Sequence, residues 1–94
     1  MKLVSPTDFD ILESLADQKR NTAANIALEI DRDRAYINSR LPILADYGLV
    51  DQIGPAERSG LYEITEKGLV AVEHRDAYRQ EGVDFDALIA SELE

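Results

Sequence analysis

Ninety-four residues without a cysteine, carrying a formal charge of −9, describe one compact domain whose core can form without disulfides or a structural metal. The missing thiols exclude a thiolate nucleophile, a zinc knuckle and an iron–sulfur cluster. No apolar run approaches the roughly 20 residues a bilayer needs and no signal-peptide pattern is present, so the expected location is the cytoplasm, away from membranes. The charge is unevenly spread. From residue 66 onward three basic residues face eight carboxylates, whereas Lys19, Arg20, Arg32, Arg34, Arg40 and Arg58, six of the ten basic residues, fall in the middle of the chain. A local positive patch is therefore compatible with an acidic whole.

In chain order, Ser5-Pro6-Thr7-Asp8 predicts a helix start: Ser5 as N-cap, Pro6 at the first helical position where its missing N–H costs nothing, and Asp8 near the positive end of the dipole. Val4 and Phe9 occupy the two positions of a hydrophobic staple. This helix is expected to reach about Asp17, with Ile11, Leu12, Leu15 and Ala16 facing inward. Asn21 or Thr22 opens a second, shorter helix that buries Ile26, Ala27 and Ile30. Asp31-Arg32-Asp33 is too short for a loop, so the next helix must leave steeply, as in a helix-turn-helix. That next helix runs from Asp33 to Gly48. Ile37, Leu41 and Leu44 recur at i, i+4 and i+7 and make a thin apolar seam, while Arg34, Ala35, Tyr36, Asn38, Ser39 and Arg40 crowd its first two turns with polar or small side chains. Asp33 suits the N-cap, and Gly48 suits a left-handed end. Pro42 lies inside the helix, where a bend is expected.

Beyond Gly48, the segments at 49–53 and 61–65 are short, apolar and β-branched, and the turn formers at 54–60 lie between them. The three together predict a β-hairpin with Arg58 at its tip. Thr65 caps another helix, expected to continue to about Gln80. Its early residues Leu69, Val70, Ala71 and Val72 are apolar on nearly every side, so more than one surface should cover it. Gly82 interrupts the pattern, and Asp84 caps a last amphipathic segment with Phe85, Leu88, Ile89 and Leu93 on one face. His74, the single histidine, has no partners at metal-ligand spacing and is read as solvated. Tyr36 and Tyr47 are expected in core or rim packing.

Helix, helix, helix, hairpin, helix is the order of a winged helix-turn-helix domain. The buried spacing Ile26-Ala27, Ile30, Ile37, Leu41, Leu44, followed by Asp46-Tyr47-Gly48-Leu49-Val50 and Leu61-Tyr62-Glu63-Ile64-Thr65-Glu66-Lys67-Gly68, resembles archaeal winged-helix regulators. Within them the likeness is to the haloarchaeal phage phi-H repressor group, over about residues 5–72. Asp31 stands where that family usually turns on glycine. The resemblance implies an α+β, mostly α fold: a three-helix core, a β-hairpin wing and C-terminal helices. It assigns residues 1–72 to a DNA-binding domain and leaves 73–94 as a helical extension suited to dimerisation. It implies that helix 33–47 enters the major groove and that wing 54–60 follows the backbone or the minor groove. Arg34 then suits guanine, Asn38 adenine, and Ala35 a thymine methyl. Arg40 and Ser39 suit phosphates or base edges, Arg32 and Tyr36 flank them, and Arg58 suits a narrow minor groove. Abundant Asp and Glu with three lysines matches the composition of salt-loving archaea.

No nucleophile elbow, phosphate loop or metal triad suggests an enzyme, and no cofactor is expected. The resulting expectation is a sequence-specific DNA-binding transcriptional regulator, a repressor, with double-stranded DNA and a second copy of itself as partners. An acidic winged-helix module for protein–protein interaction, without DNA binding, is the alternative. A small-ligand sensor at a dimer interface is a third reading.

Overall fold

The structure is a computed structural model that describes residues 1–54 and 60–94. Its elements in order are α1 (Thr7–Gln18), β1 (Arg20–Thr22), α2 (Ala23–Ile30), α3 (Arg34–Asp46), β2 (Val50–Ile53), β3 (Leu61–Ile64), α4 (Glu66–Glu73), a 3₁₀ segment (Arg75–Arg79) and α5 (Phe85–Leu93). The strands form one antiparallel sheet in the order β1-β3-β2. This is the mostly helical, winged-helix arrangement expected of the sequence.

The caps explain the sharp turns between helices. Thr22 accepts the Asn25 N–H and starts α2, Asp31 adopts the left-handed conformation (φ 55°) that ends it, and the Asp33 carboxylate accepts the Ala35 N–H to start α3. Gly48 (φ 79°) follows α3, as its placement predicted. The helix runs on through Pro42 to Asp46. Phe9, Ile11, Leu12, Leu15, Ile26, Ile37, Leu41, Leu44, Leu49 and Val50 are fully buried, and Ile30 and Ala16 only partly.

Several local expectations differ from what is found. Ser5 does not cap α1: Pro6 holds the N-cap position without a side-chain bond. The Ser5 hydroxyl instead accepts Arg79, from Nε at 3.1 Å and Nη2 at 2.9 Å. The acceptor at this helix start is Asp8, whose carboxylate takes the Val4 N–H at 2.7 Å. Strand β1 follows from Lys19 taking a positive φ (74°) at the end of α1, which lays Arg20, Asn21 and Thr22 against Glu63, Tyr62 and Leu61. The α-helix opened by Thr65 ends at Glu73, short of Gln80. Past that point the 3₁₀ path lets Arg75 reach Asp10 (2.9 Å) and Glu13 (2.8 Å), and lets the Tyr78 hydroxyl bond both backbone groups of Leu3. Helix α4 packs against α1 and α5, which buries Ala71 and partly buries Val70 and Val72 but leaves Leu69 exposed. Phe85 and Ile89 of α5 join the same core as α1 to α3, with the rings of Phe9, Tyr78 and Phe85 5.0 to 6.0 Å apart. His74 is not solvated at Nε2. That atom is buried without a hydrogen bond among the described residues and faces Glu92 Oε1 of α5 at 3.8 Å.

The TEKG segment closes the domain behind α3. The Thr65 hydroxyl donates to the Gly48 carbonyl at 2.6 Å while accepting the Gly68 N–H at 3.0 Å, and Lys67 Nζ donates to the Tyr47 carbonyl at 2.6 Å. Gly68 is packed so tightly that a Cβ would stand 2.2 Å from the Leu49 carbonyl oxygen and 2.6 Å from Ile64 Cγ1. Gly68→Ala should therefore cost about 2 to 3 kcal/mol by overpacking. At about 4 to 8 °C per kcal/mol for a domain of this size, thermal melting followed by circular dichroism should shift down by roughly 10 to 20 °C. An unchanged melting temperature would show that α4 can slide away without loss.

Candidate nucleic-acid interface

Helix α3 lies against the core by its seam, and the rest of its surface follows from the period of about 100° per residue. With Ile37, Leu41 and Leu44 fully buried, Ala35, Ser39, Pro42 and Asp46 form the outermost ridge. Arg34 and Asn38 occupy the flank toward α2 and the loop end of the hairpin; Tyr36, Arg40 and Tyr47 occupy the other. Arg34, Ala35, Tyr36, Asn38 and Ser39 are all exposed, and the Ser39 hydroxyl donates to the Tyr36 carbonyl at 2.6 Å. A cleft of about 260 Å³ brings Arg34 and Asn38 together with Thr22, Ala23 and Ala24 at the start of α2 and with Gly60 just before β3, at the loop end of the hairpin. One surface thus combines the first turns of two helices and the hairpin, with side chains suited to base edges and phosphates.

Arg40 is placed differently from its sequence-based expectation as a phosphate or base contact. Its guanidinium turns inward and forks onto Asp8 of α1, with Nε at 2.9 Å from Oδ1 and Nη2 at 2.7 Å from Oδ2. Hydrogen bonding to Asp8 raises its pKa further above the ordinary arginine value, against the opposing effect of burial. The side chain is 14% exposed and Asp8 is fully buried, so this cation is committed to the fold. Arg32 is half committed: Nη1 donates to the carbonyls of Ile30 (3.0 Å) and Asp31 (3.3 Å), and Nη2 approaches Asp10 at 3.5 Å. Arg34 carries no ion pair among the described residues. Arg58 lies outside the described residues.

Sequence reasoning passed over Leu28, which is 82% exposed on α2 in a shallow cleft with Ala24, Ala27, Asp31, Arg32 and Arg34. The signal was available: Leu28 is two residues from Ile26, about 200° around the helix from the buried face.

No family model matches the chain, and no curated protein matches it. Solved structures that share its fold include the reduced form of MarR from E. coli, with TM-score 0.65 and 18% identity over 97% of this chain and 63% of that one. The oxidised form of the same protein gives TM-score 0.66 and 18% identity over 95% and 63%. A MarR family protein from Bacillus stearothermophilus gives TM-score 0.65 and 16% identity over 98% and 71%. The architecture is thus the winged-helix fold of MarR-type structures, and the chain spans under two thirds of the length of the two E. coli MarR chains.

The two arginines of α3 should separate cleanly in a stability measurement. Arg40→Ala leaves the Asp8 carboxylate buried without its partner, a change that costs about 3 to 5 kcal/mol. Arg34→Ala, at an exposed position, should stay within about 0.5 kcal/mol of the parent. Urea unfolding of both variants checks this; equal stabilities would refute the division of labour.

Proposed function

We propose that this protein is a sequence-specific DNA-binding transcriptional regulator, acting as a repressor. The observation that carries the reading is the exposed ridge and flank of α3, where Arg34, Ala35, Asn38 and Ser39 face outward from a helix seated by a fully buried seam. In this reading α3 enters the major groove. Arg34 donates to guanine, Asn38 pairs with adenine, Ala35 packs on a thymine methyl, and Ser39 and Arg32 meet phosphates. Tyr36 borders the contact, and wing residue Arg58 reaches the backbone or the minor groove. Repression is favoured by the sequence resemblance to the phi-H repressor group. The acidic composition suits a protein kept soluble in concentrated salt.

Selection of genomic fragments on the purified protein, followed by sequencing, supplies the duplex for testing. On that duplex Arg34→Ala or Asn38→Ala should each relax preference at one base position by about 1 to 3 kcal/mol while the fold survives. Retention of no duplex, or variants with unaltered affinity and preference, would remove the proposed contacts. The interaction-module reading would then gain from Leu28, whose exposure offers an apolar anchor beside Arg32 and Arg34.

A homodimer built through the C-terminal helices belongs to the same proposal. Its motivation is the exposed Leu69 of α4 (47%) and Leu93 of α5 (38%), in a fold where symmetric pairing would set two α3 helices about 34 Å apart for successive major grooves. Light scattering at tens of micromolar protein should return a dimer mass, and Leu69→Glu should return a monomer. A monomeric parent would overturn this part of the reading.

A further inference from the structure

We infer that Asp8 is the positioning residue of α3, fixing the rotation of that helix about its own axis and hence the direction in which Arg34 and Asn38 point. The inference rests on the reading of α3 as the DNA-contacting helix. Asp8 is fully buried, and its two oxygens take three N–H groups from two parts of the chain. Val4 N–H donates to Oδ2 at 2.7 Å, Arg40 Nη2 to the same oxygen at 2.7 Å, and Arg40 Nε to Oδ1 at 2.9 Å.

The other attachments of α3 do not supply this constraint. The seam of Ile37, Leu41 and Leu44 is apolar, and apolar burial has no preferred direction. The bonds from Lys67 and Thr65 hold the Tyr47 and Gly48 carbonyls, and the Lys2 N–H donates to the Tyr47 hydroxyl at 3.0 Å; all three act beyond the last turn of α3 and leave the roll of its N-terminal half, where Arg34 and Asn38 stand, to Arg40. A bidentate guanidinium–carboxylate fork is directional, and Arg40 places it on the flank opposite Arg34 and Asn38. A helix with side chains has a radius of about 5 to 6 Å, so a roll of about 20° moves the tips of those side chains by about 2 Å. That exceeds the span of donor–acceptor distances within which a hydrogen bond survives. Stability alone does not account for the pair either, since buried ion pairs are commonly replaced by apolar residues without loss. What an apolar replacement forfeits is direction.

The experiment compares the parent with Asp8→Asn and with the double variant Asp8→Leu/Arg40→Met. Three quantities are read: thermal melting, the ratio of affinities for a selected duplex and its shuffled counterpart, and residual dipolar couplings of α3 amides relative to those of α1. The double variant should melt somewhat below the parent, because the Val4 N–H loses its acceptor, but stay folded, and lose roughly tenfold of the affinity ratio, within the range set by one misplaced bidentate base contact. Its α3 couplings should no longer fit the parent orientation. Asp8→Asn, which keeps an acceptor for Val4 but weakens the fork, should move the affinity ratio and the α3 couplings in the same direction by less, and it carries the test should the double variant not fold. A stable variant with the parent's ratio and with α3 couplings in the parent frame overturns the inference. If the parent itself prefers no duplex, the DNA reading falls, while the α3 couplings still decide whether Asp8 sets the helix orientation.

Discussion

The close passage of the Leu49 carbonyl over Gly68 is the constraint on which the rest of the molecule turns. At this point α3 has just ended, β2 is about to begin, and α4 is in its first turn. The Leu49 carbonyl also accepts the Thr65 N–H at 3.1 Å. Nothing larger than a hydrogen fits on Gly68, so α4 sits against the exit of α3 with its Thr65 hydroxyl and Lys67 ammonium bound to the last carbonyls of that exit. Those carbonyls would otherwise end a helix without partners. One four-residue segment therefore ends α3, joins the sheet to α4, and gives the C-terminal elements a fixed place from which to cover α1.

Electrostatics in this acidic chain is organised by α1. Asp8, Asp10 and Glu13 of that helix draw in Arg40 from α3, Arg32 from the turn before it, and Arg75 from the 3₁₀ segment. Hydrogen bonds to Glu13, and then Asp10, raise the Arg75 pKa, and its guanidinium lies 5.6 Å from the centre of the Phe9 ring. Arg20 of β1 pairs with Glu63 of β3. The run of basic residues in the middle of the sequence is thereby thinned in the folded state, because its members serve as ties between elements. Arg34 is left outward on α3 as the described cation best placed to meet an anionic partner.

What the sequence disclosed and what it hid divide along physical lines. Features encoded within three or four residues were legible: the caps at Thr22, Asp33, Thr65 and Asp84, the hairpin strands and the seam of α3 all follow from local hydrogen bonding and period. Features that need a distant partner were not. Arg40 looks like any exposed arginine until Asp8, 32 residues away, is known to lie beneath it. Strand β1 has no apolar alternation: its three polar residues are held by pairing with β3 and by the buried Asn21 amide, which bonds Gln18 of α1 and Asn25 of α2. The early end of α4 depends on where Asp10, Glu13 and Leu3 stand in space. The site residues follow the same division: the face of α3 was readable from its period, whereas whether each cation on it is free or committed was set by tertiary contacts.

The C-terminal helices show how a short chain uses one apolar stripe twice. Phe85 and Ile89 turn inward and complete the core around Phe9, while Leu88 is half-buried and Leu93 stays 38% exposed. A domain of this size buries a smaller fraction of its surface than a larger one, and removing α5 would uncover the aromatic cluster that Phe9 and Tyr78 form with Phe85. Any partner that meets α5 through Leu93 therefore meets the exposed end of the same stripe whose start, Phe85 and Ile89, is already committed to the core. The His74 ring, with its Nε2 facing Glu92, makes the same point in polar terms: the inner face of α5 is committed to the fold along its first turns and opens toward solvent only at its C-terminal end.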